Sequence, residues 1–410
     1  MRQRGVWIVI LKLAWMAVAV AQEPQSEEQR LSLHRLVDEA LANNPDIQAA
    51  QQRFEAASAV IPQVQTLPDP KVNLLYRNVP DREGMYGLSQ EIPFPGKLGL
   101  RGEVASKEAE RAEQEYQAIR LNVIARLKEA YFDLHLVYKS LEVVQKNRVL
   151  LVNFEKTAKA RYAVGQGAQQ DVFRAQAEIS RLLQRIAVFE QQGRSLRAEI
   201  NRILRRLPAD PLGIPEEIRV TPLAHGPAEL QTLVEQAAPL LRAQVKGVER
   251  GDKAIALAKR DYFPDFELSA GGLRNETLRQ DGYQAMLSVK VPLYYATKQR
   301  YGVKEAVAGR EAAFQDLWAT KQELLFRVQD NLARLTRAEE LVRLLSEALI
   351  PQARLTLASA QANYSVGKVD FLTLLNSLLT LQENEIELHG EMTEHEKALA
   401  RLEEIIGERP

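Results

Sequence analysis

Residues 264–270 read Pro264-Asp265-Phe266-Glu267-Leu268-Ser269-Ala270, and residues 285–292 read Ala285-Met286-Leu287-Ser288-Val289-Lys290-Val291-Pro292. Phe266, Leu268 and Ala270 alternate with Glu267 and Ser269; Ala285, Leu287, Val289 and Val291 alternate with Met286, Ser288 and Lys290. A period of two gives a strand one apolar and one polar face. The polar run from Asn275 to Gly282 joins the two segments. Earlier in the chain, Val72, Leu74 and Tyr76 alternate with Asn73 and Arg77, with Leu75 out of phase, and Leu88 and Ile92 flank Ser89 and Glu91. Asn78 to Gly84 is the turn of that pair.

Sheets with one apolar and one polar face suit a barrel with lipid outside and water inside. Four strands cannot close such a barrel, whose smallest bacterial form has about eight. An open sheet in lipid would also leave its edges unsatisfied. Several chains must therefore share one barrel. Tyr76, Tyr86, Phe94, Tyr283, Tyr294 and Tyr295 fall at or near the strand ends, where a membrane barrel carries interfacial aromatic rings.

The two strand pairs belong to an internal duplication. Leu36-Val37-Asp38-Glu39-Ala40 returns as Leu233-Val234-Glu235-Gln236-Ala237, and Pro68-Asp69 returns as Pro264-Asp265. Leu88-Ser89 with Pro93 returns as Leu287-Ser288 with Pro292, and Tyr162-Ala163-Val164-Gly165 returns as Tyr364-Ser365-Val366-Gly367. The offsets are 197, 196, 199 and 202, too long for a solenoid unit. Each copy has a helical run, Leu33 to about Val60 or Leu230 to about Lys259, and then two strands. A long helical run follows, about Leu98 to Tyr162 or Val303 to Tyr364, then a glycine-containing turn and a last helix. Leu127, Tyr131, Leu134, Tyr138 and Leu141, and Leu325, Val328, Leu332 and Leu335, repeat every seven residues, the mark of coiled-coil packing. The span from Leu98 to Tyr162 holds no proline and reaches roughly 95 Å as one helix.

Residues 1–21 read as a signal peptide: Arg2 and Arg4 open it, an apolar run broken only by Lys12 follows, and Ala19-Val20-Ala21 is a cleavage site before Gln22. The nine apolar residues after Lys12 are too few to span a bilayer, and no later run approaches 18. The remaining 51 basic and 54 acidic residues lack the basic excess of a nucleic-acid binder. With no cysteine there is no disulfide framework, thiolate metal site, cysteine nucleophile or lipid-modified cysteine. The expected organisation is 22–204 for the first repeat, with strands at about 71–78 and 85–93, and 205–228 for a linker. The second repeat is 229–404, with strands at about 265–274 and 283–292, and 405–410 is a tail.

This arrangement resembles the TolC-like outer membrane efflux family. The likeness rests on the two Tyr-x-x-Gly turns, followed by Asp171-Val172 and Asp370-Phe371-Leu372. The segment Ser89-Gln90-Glu91-Ile92-Pro93-Phe94-Pro95-Gly96-Lys97 resembles the heavy-metal, CzcC-like branch. The resemblance implies a mostly helical fold with a small transmembrane β part. Three chains would give a 12-stranded outer-membrane barrel, four strands from each, above a coiled-coil-like periplasmic tunnel. It implies a passive exit duct, without cofactor or resident metal, serving an inner-membrane transporter of the RND type through a periplasmic adaptor. Its cargo would be heavy-metal cations, with multidrug efflux and type I secretion as alternatives. The linker and tail would form an equatorial belt.

The resemblance places adaptor docking at the hairpin tips Tyr162, Val164, Gly165, Gly167, Tyr364, Val366 and Gly367. Glycine suits a chain reversal at positive φ. Two acidic gate positions of the family fall here on Thr373 and Asn376, which are neutral, leaving Asp171 and Asp370 as the nearby carboxylates. Rings of carboxylates select cations. His34, His135, His225, His389 and His395 show no metal-ligand spacing, and Glu391 with His395 reads as an ordinary helical pair. No nucleophile elbow, phosphate loop or zinc-hydrolase motif marks an enzyme. A periplasmic coiled-coil scaffold would account for the helices but not for the strands.

Overall fold

The computed structural model of the protein describes residues 30–78 and 82–407, so the signal-peptide reading lies outside the described residues. In chain order the elements are β1 (Arg30–Leu31), α1 (Leu33–Asn43), α2 (Pro45–Gln65), β2 (Lys71–Asn78), β3 (Arg82–Ile92), α3 (Lys97–Ala163) and α4 (Gln169–Ile203). Then follow β4 (Ile214–Pro215), α5 (Pro227–Ala237), α6 (Pro239–Arg260), β5 (Asp265–Asn275), β6 (Gln280–Lys290) and α7 (Gln299–Leu344). A π-helical turn (Leu345–Leu349), α8 (Ile350–Ser365) and α9 (Phe371–Ile406) complete the chain.

Proline sets three features that periodicity alone misses. Each expected first helix is two helices, divided at Asn44-Pro45 and at Ala238-Pro239. The residue before a proline is pushed out of the helical region, and Asn44 (ψ 127°) and Ala238 (ψ 114°) obey. Proline itself fits the first helical turn, where its missing N–H has no partner to lose. Asn44 caps α2 through bonds from the amides of Asp46 (2.9 Å) and Ile47 (3.3 Å), and its Nδ2 donates to the Ile203 carbonyl at 2.8 Å. The third feature corrects the expected unbroken helix from Val303 to Tyr364. Pro351 cannot donate to the Glu347 carbonyl and its ring crowds it, and the helix widens there into the π turn. Without an internal proline, α3 runs 67 residues, about 100 Å.

The four long strands form one antiparallel sheet in the order β2-β3-β5-β6. The repeats meet at its centre, where β3 pairs with β5 from Glu83↔Asn275 to Ile92↔Phe266. Residues directly opposite share a face. Val72, Leu88, Ala270 and Ala285 make one row of the apolar face; Leu74, Tyr86, Gly272 and Tyr283 make the next. Ile92, Phe266 and Val289 close that face toward the helices. The other face carries Lys71, Ser89 and Ser269, then Asn73, Gly87, Gly271 and Gln284. Leu75, out of phase in the sequence, lies on the polar face opposite Met85, which in turn faces Leu273. The apolar face is open: Leu74 is 79% exposed and Tyr283 96%. Among the described residues β2 and β6 each have one edge without a neighbour.

Three hydrophobic cores run down the helices. Two are counterparts at the level of the connector: one joins α1, α3 and α4 through Leu36, Leu127, Leu134 and Ile200, the other joins α5, α7 and α9 through Leu230, Val328, Leu335 and Leu402. The third binds α3, α4, α8 and α9 toward the far end through Leu151, Leu182, Leu357 and Leu374. The connector is pinned to the first repeat. β4 pairs in parallel with β1, and the Tyr131 hydroxyl donates to the Leu31 carbonyl (2.8 Å) while accepting from the Glu216 amide (2.9 Å). Among the described residues no helix is long and apolar enough to cross a membrane.

Candidate functional site

At the end of the long helices distant from the sheet, each repeat turns back on itself. Gly165 (φ +72°) and Gly367 (φ +79°) both adopt the left-handed conformation just past a helix. Each completes the same cap. Gly165 N–H bonds the Tyr162 carbonyl (3.0 Å) and Gln166 N–H the Arg161 carbonyl (2.9 Å); Gly367 N–H bonds Tyr364 (3.1 Å) and Lys368 N–H bonds Asn363 (2.9 Å). These are Schellman pairs, which satisfy the last carbonyls of a helix. Val164 and Val366 are left exposed at the two tips to nearly the same degree, 68% and 66%.

Gly167 corrects the expectation of a positive φ, since its φ lies outside that region. It is needed for space instead: a Cβ there would stand 3.1 Å from Arg161 Cβ and 3.3 Å from the Tyr162 nitrogen. The corresponding position of the second repeat is Val369, which packs on the core shared by α3, α4, α8 and α9.

The tips are not equivalent. Tyr162 is exposed, whereas Tyr364 is 3% exposed. Tyr364 sits edge to face with Phe371 at 5.6 Å, and Arg161 from the first repeat covers its ring at 4.7 Å. Arg161 also donates to the Tyr364 carbonyl and, at 3.0 Å, to the Gln166 carbonyl. One guanidinium thus ties the two hairpins together. Sequence reasoning missed Arg161; its only signal was its place before a Tyr-x-x-Gly turn.

The two candidate gate carboxylates come together across the hairpins. Burial raises the Asp171 carboxyl above the usual aspartate range, and the charge of Asp370 adds to the rise against the pull of Arg174 and Arg161. Asp370 is exposed and caps α9. Its Oδ1 accepts from the Thr373 amide at 2.9 Å, and the bonds from Thr373 hold its carboxyl low. Thr373 and Asn376 are both exposed on the first turns of α9.

At the opposite end, the Pro-Phe-Pro-Gly-Lys segment locks one repeat to the other. Gly96 (φ +90°) turns the chain into α3. Lys97, 3% exposed, donates to Asp265 at 2.8 Å and to the Phe263 carbonyl at 3.2 Å. Asp265 also accepts from the Phe94 amide at 2.9 Å. Phe94 stacks on Phe263 at 4.6 Å and so packs within this corner. Tyr76, Tyr86, Tyr283, Tyr294 and Tyr295 are exposed.

The histidines also depart from the sequence reading. His395 pairs with Glu396 and Glu339, not with Glu391, which is held by Arg337 at 3.1 Å. His135 and His389, on α3 and α9, lie with ring centroids 6.4 Å apart. Burial pushes His135 down to about 4 and lowers His389 as well. Among the described residues no group of three or more histidine, cysteine, aspartate or glutamate side chains could hold a metal ion.

The model of the family described as outer membrane efflux protein matches residues 36–204 and 230–408, the two repeats. The chain is 19% identical over 386 residues to the cobalt-zinc-cadmium resistance protein CzcC of Cupriavidus metallidurans, covering 94% of this chain and 92% of that protein. It is 24% identical over 403 residues to the outer membrane protein TolC of Vibrio cholerae, covering 92% and 90%. The crystal structure of the outer membrane protein VceC from Vibrio cholerae shares the fold with a TM-score of 0.80 at 18% identity, covering 92% of this chain and 96% of that one. Duplicated repeats, a two-faced sheet and capped hairpin tips thus coincide with a family match over both repeats, and the chain belongs to the outer membrane efflux protein family, whose members are channels and not enzymes.

Proposed function

We propose that the chain is the exit duct of a tripartite efflux system. Three copies close a 12-stranded barrel in outer-membrane lipid, and their long helices continue it as a water-filled periplasmic tunnel. The sheet carries this reading: one face is mostly apolar, the other is polar but for Leu75, Met85, Leu273 and Met286, and its two outer strands each have an edge to offer the next copy. In lipid those edges need partners, because water is absent to satisfy them. The chain is exported by a signal peptide cleaved after Ala21, and residues 205–228 with the C-terminal tail form the equatorial belt.

The tips built around Gly165 and Gly367 dock on a periplasmic adaptor coupled to an inner-membrane transporter of the RND type. Two exposed valines on caps of identical geometry give the adaptor a repeated apolar contact. Asp171 and Asp370, repeated around the threefold axis, bias the inner mouth toward cations. Heavy-metal cations are the cargo; the support is the Pro-Phe-Pro-Gly-Lys corner and the likeness to CzcC, a protein named for cobalt, zinc and cadmium resistance. A multidrug duct is the second reading, since the comparable likeness to the outer membrane protein TolC names no metal.

Deleting the gene tests both. Increased sensitivity to cobalt, zinc or cadmium salts is expected, restored by the full-length gene. Unchanged metal tolerance with increased drug sensitivity would replace the cargo. A detergent-free, monomeric mature protein would end the duct reading itself.

A further inference from the structure

The two corners where a strand gives way to a long helix are built differently. In the first repeat Lys97 is buried against Asp265, and Phe94 stacks on Phe263. In the second, Leu293, Tyr294, Tyr295 and Tyr301 stay exposed, Tyr294 by 76%. The stretch from Val291 to Lys304 also holds Lys298, Arg300 and Lys304 and no acid. All three cations are exposed, and none has an ion pair among the described residues; Lys304 lies over the Tyr301 ring at 5.1 Å. Glu305, the next residue, pairs with none of them. On α6, by contrast, Lys253 meets Glu103 at 2.7 Å and Arg250 meets Glu108 at 3.0 Å.

We propose that the corner around Tyr294, Lys298, Arg300 and Lys304 binds headgroups of anionic phospholipids, of the phosphatidylglycerol class, in the inner leaflet of the outer membrane. The inference rests on the barrel reading above and adds a lipid preference to it. The row of Ile92, Phe266 and Val289 ends the apolar face on its helix side. The corner follows directly, where lipid tails give way to headgroups. Tyrosine rings settle at that boundary, and basic side chains close to it attract anionic lipid. α7 begins at Gln299 and runs away from the sheet, so its Cα–Cβ bonds tilt back toward the membrane. Lys304 stands about 8 Å along the helix from Gln299. Its stem can lie along the Tyr301 ring while the ammonium reaches back toward phosphate.

The neighbouring copy offers no comparable partner. Closing the barrel pairs the free edge of β6 with that of the next β2, and so brings the chain leading into β2 beside this corner. From Ala56 to Lys71 that chain has one acid, Asp69, offset by Lys71. The balance of three cations is left to a ligand, and lipid phosphate supplies it.

The test uses the untagged protein purified from membranes as its detergent-solubilised trimer, titrated with phosphatidylglycerol or phosphatidylcholine and read by native mass spectrometry. Tighter binding of phosphatidylglycerol, weakened by salt, is expected. Each of Lys298→Gln, Arg300→Gln and Lys304→Gln should weaken it about fivefold, and the three together should bring it down to the phosphatidylcholine level. Equal binding of the two lipids by the wild type, or a preference kept by the triple variant, overturns the proposal. A triple variant that no longer assembles on heat-modifiable gels overturns it too, because the cations then belong to the contact between copies. A wild-type protein that forms no trimer at all would instead remove the duct reading.

Discussion

The ammonium of Lys97 meets the carboxylate of Asp265 at 2.8 Å, although 168 residues separate them in the chain. The lysine opens the long helix of the first repeat and the aspartate opens the first strand of the second. Two prolines and a glycine before Lys97 turn the chain so that the pair can form, and Asp261 stands nearby at 3.6 Å. The junction of sheet and helices is therefore a contact between repeats, closed by one buried cation.

Lys97→Met removes the cation and leaves Asp265, whose side chain is 20% exposed, with an uncompensated charge. The expected cost is about 3 kcal/mol, the low end for breaking a buried pair because one partner keeps some water. A lower temperature of conversion on heat-modifiable gels is the readout. Lys97→Met combined with Asp265→Asn should recover part of the loss; if the double variant is no better than the single, the pair is not the cause.

Replacing Gly165 or Gly367 with alanine forces a Cβ into the left-handed region, at about 1–2 kcal/mol each. Gly167→Ala acts differently, by pushing on Arg161 and the Tyr162 backbone. All three should speed amide exchange in residues 160–170 or 362–372 and leave the sheet unaffected. Faster exchange across the strands would place the damage elsewhere.

Arg161→Ala unties the hairpins. It removes charge-assisted bonds to the Tyr364 and Gln166 carbonyls and a cation–π contact, together about 2 kcal/mol. In planar bilayers the variant should show higher basal conductance than the wild type. Arg161→Gln can keep a hydrogen bond but not the charge and should fall between them.

Asp171 has its folded pKa raised above the ordinary 3.8. The native state therefore binds this proton more tightly than the unfolded chain. The sign follows: ionising Asp171 as pH rises through its raised range weakens the tips, and protonating it on acidification strengthens them. Cation selectivity in single-channel recordings should decline on acidification, starting above the pH where a free aspartate titrates. Asp171→Asn should remove that early step; a titration unchanged in this variant assigns the selectivity to another group.

The sequence by itself determined the duplication, the four strands with their faces, and the glycines of the two turns. Those signals are local: alternation of two, spacing of seven, and a residue without a Cβ act within a few positions of themselves. Even Leu75, out of phase in the sequence, has its reason across the strands, opposite Met85. Only the tertiary structure decided which groups meet. Arg161 reaches Tyr364 across 203 positions, Lys97 reaches Asp265, and His135 and His389 come together from different repeats. No periodicity encodes such pairs, because they depend on how two hairpins and two corners pack. Burial follows packing too, which is why two tyrosines in matching Tyr-x-Val-Gly motifs end with one in solvent and the other beneath an arginine.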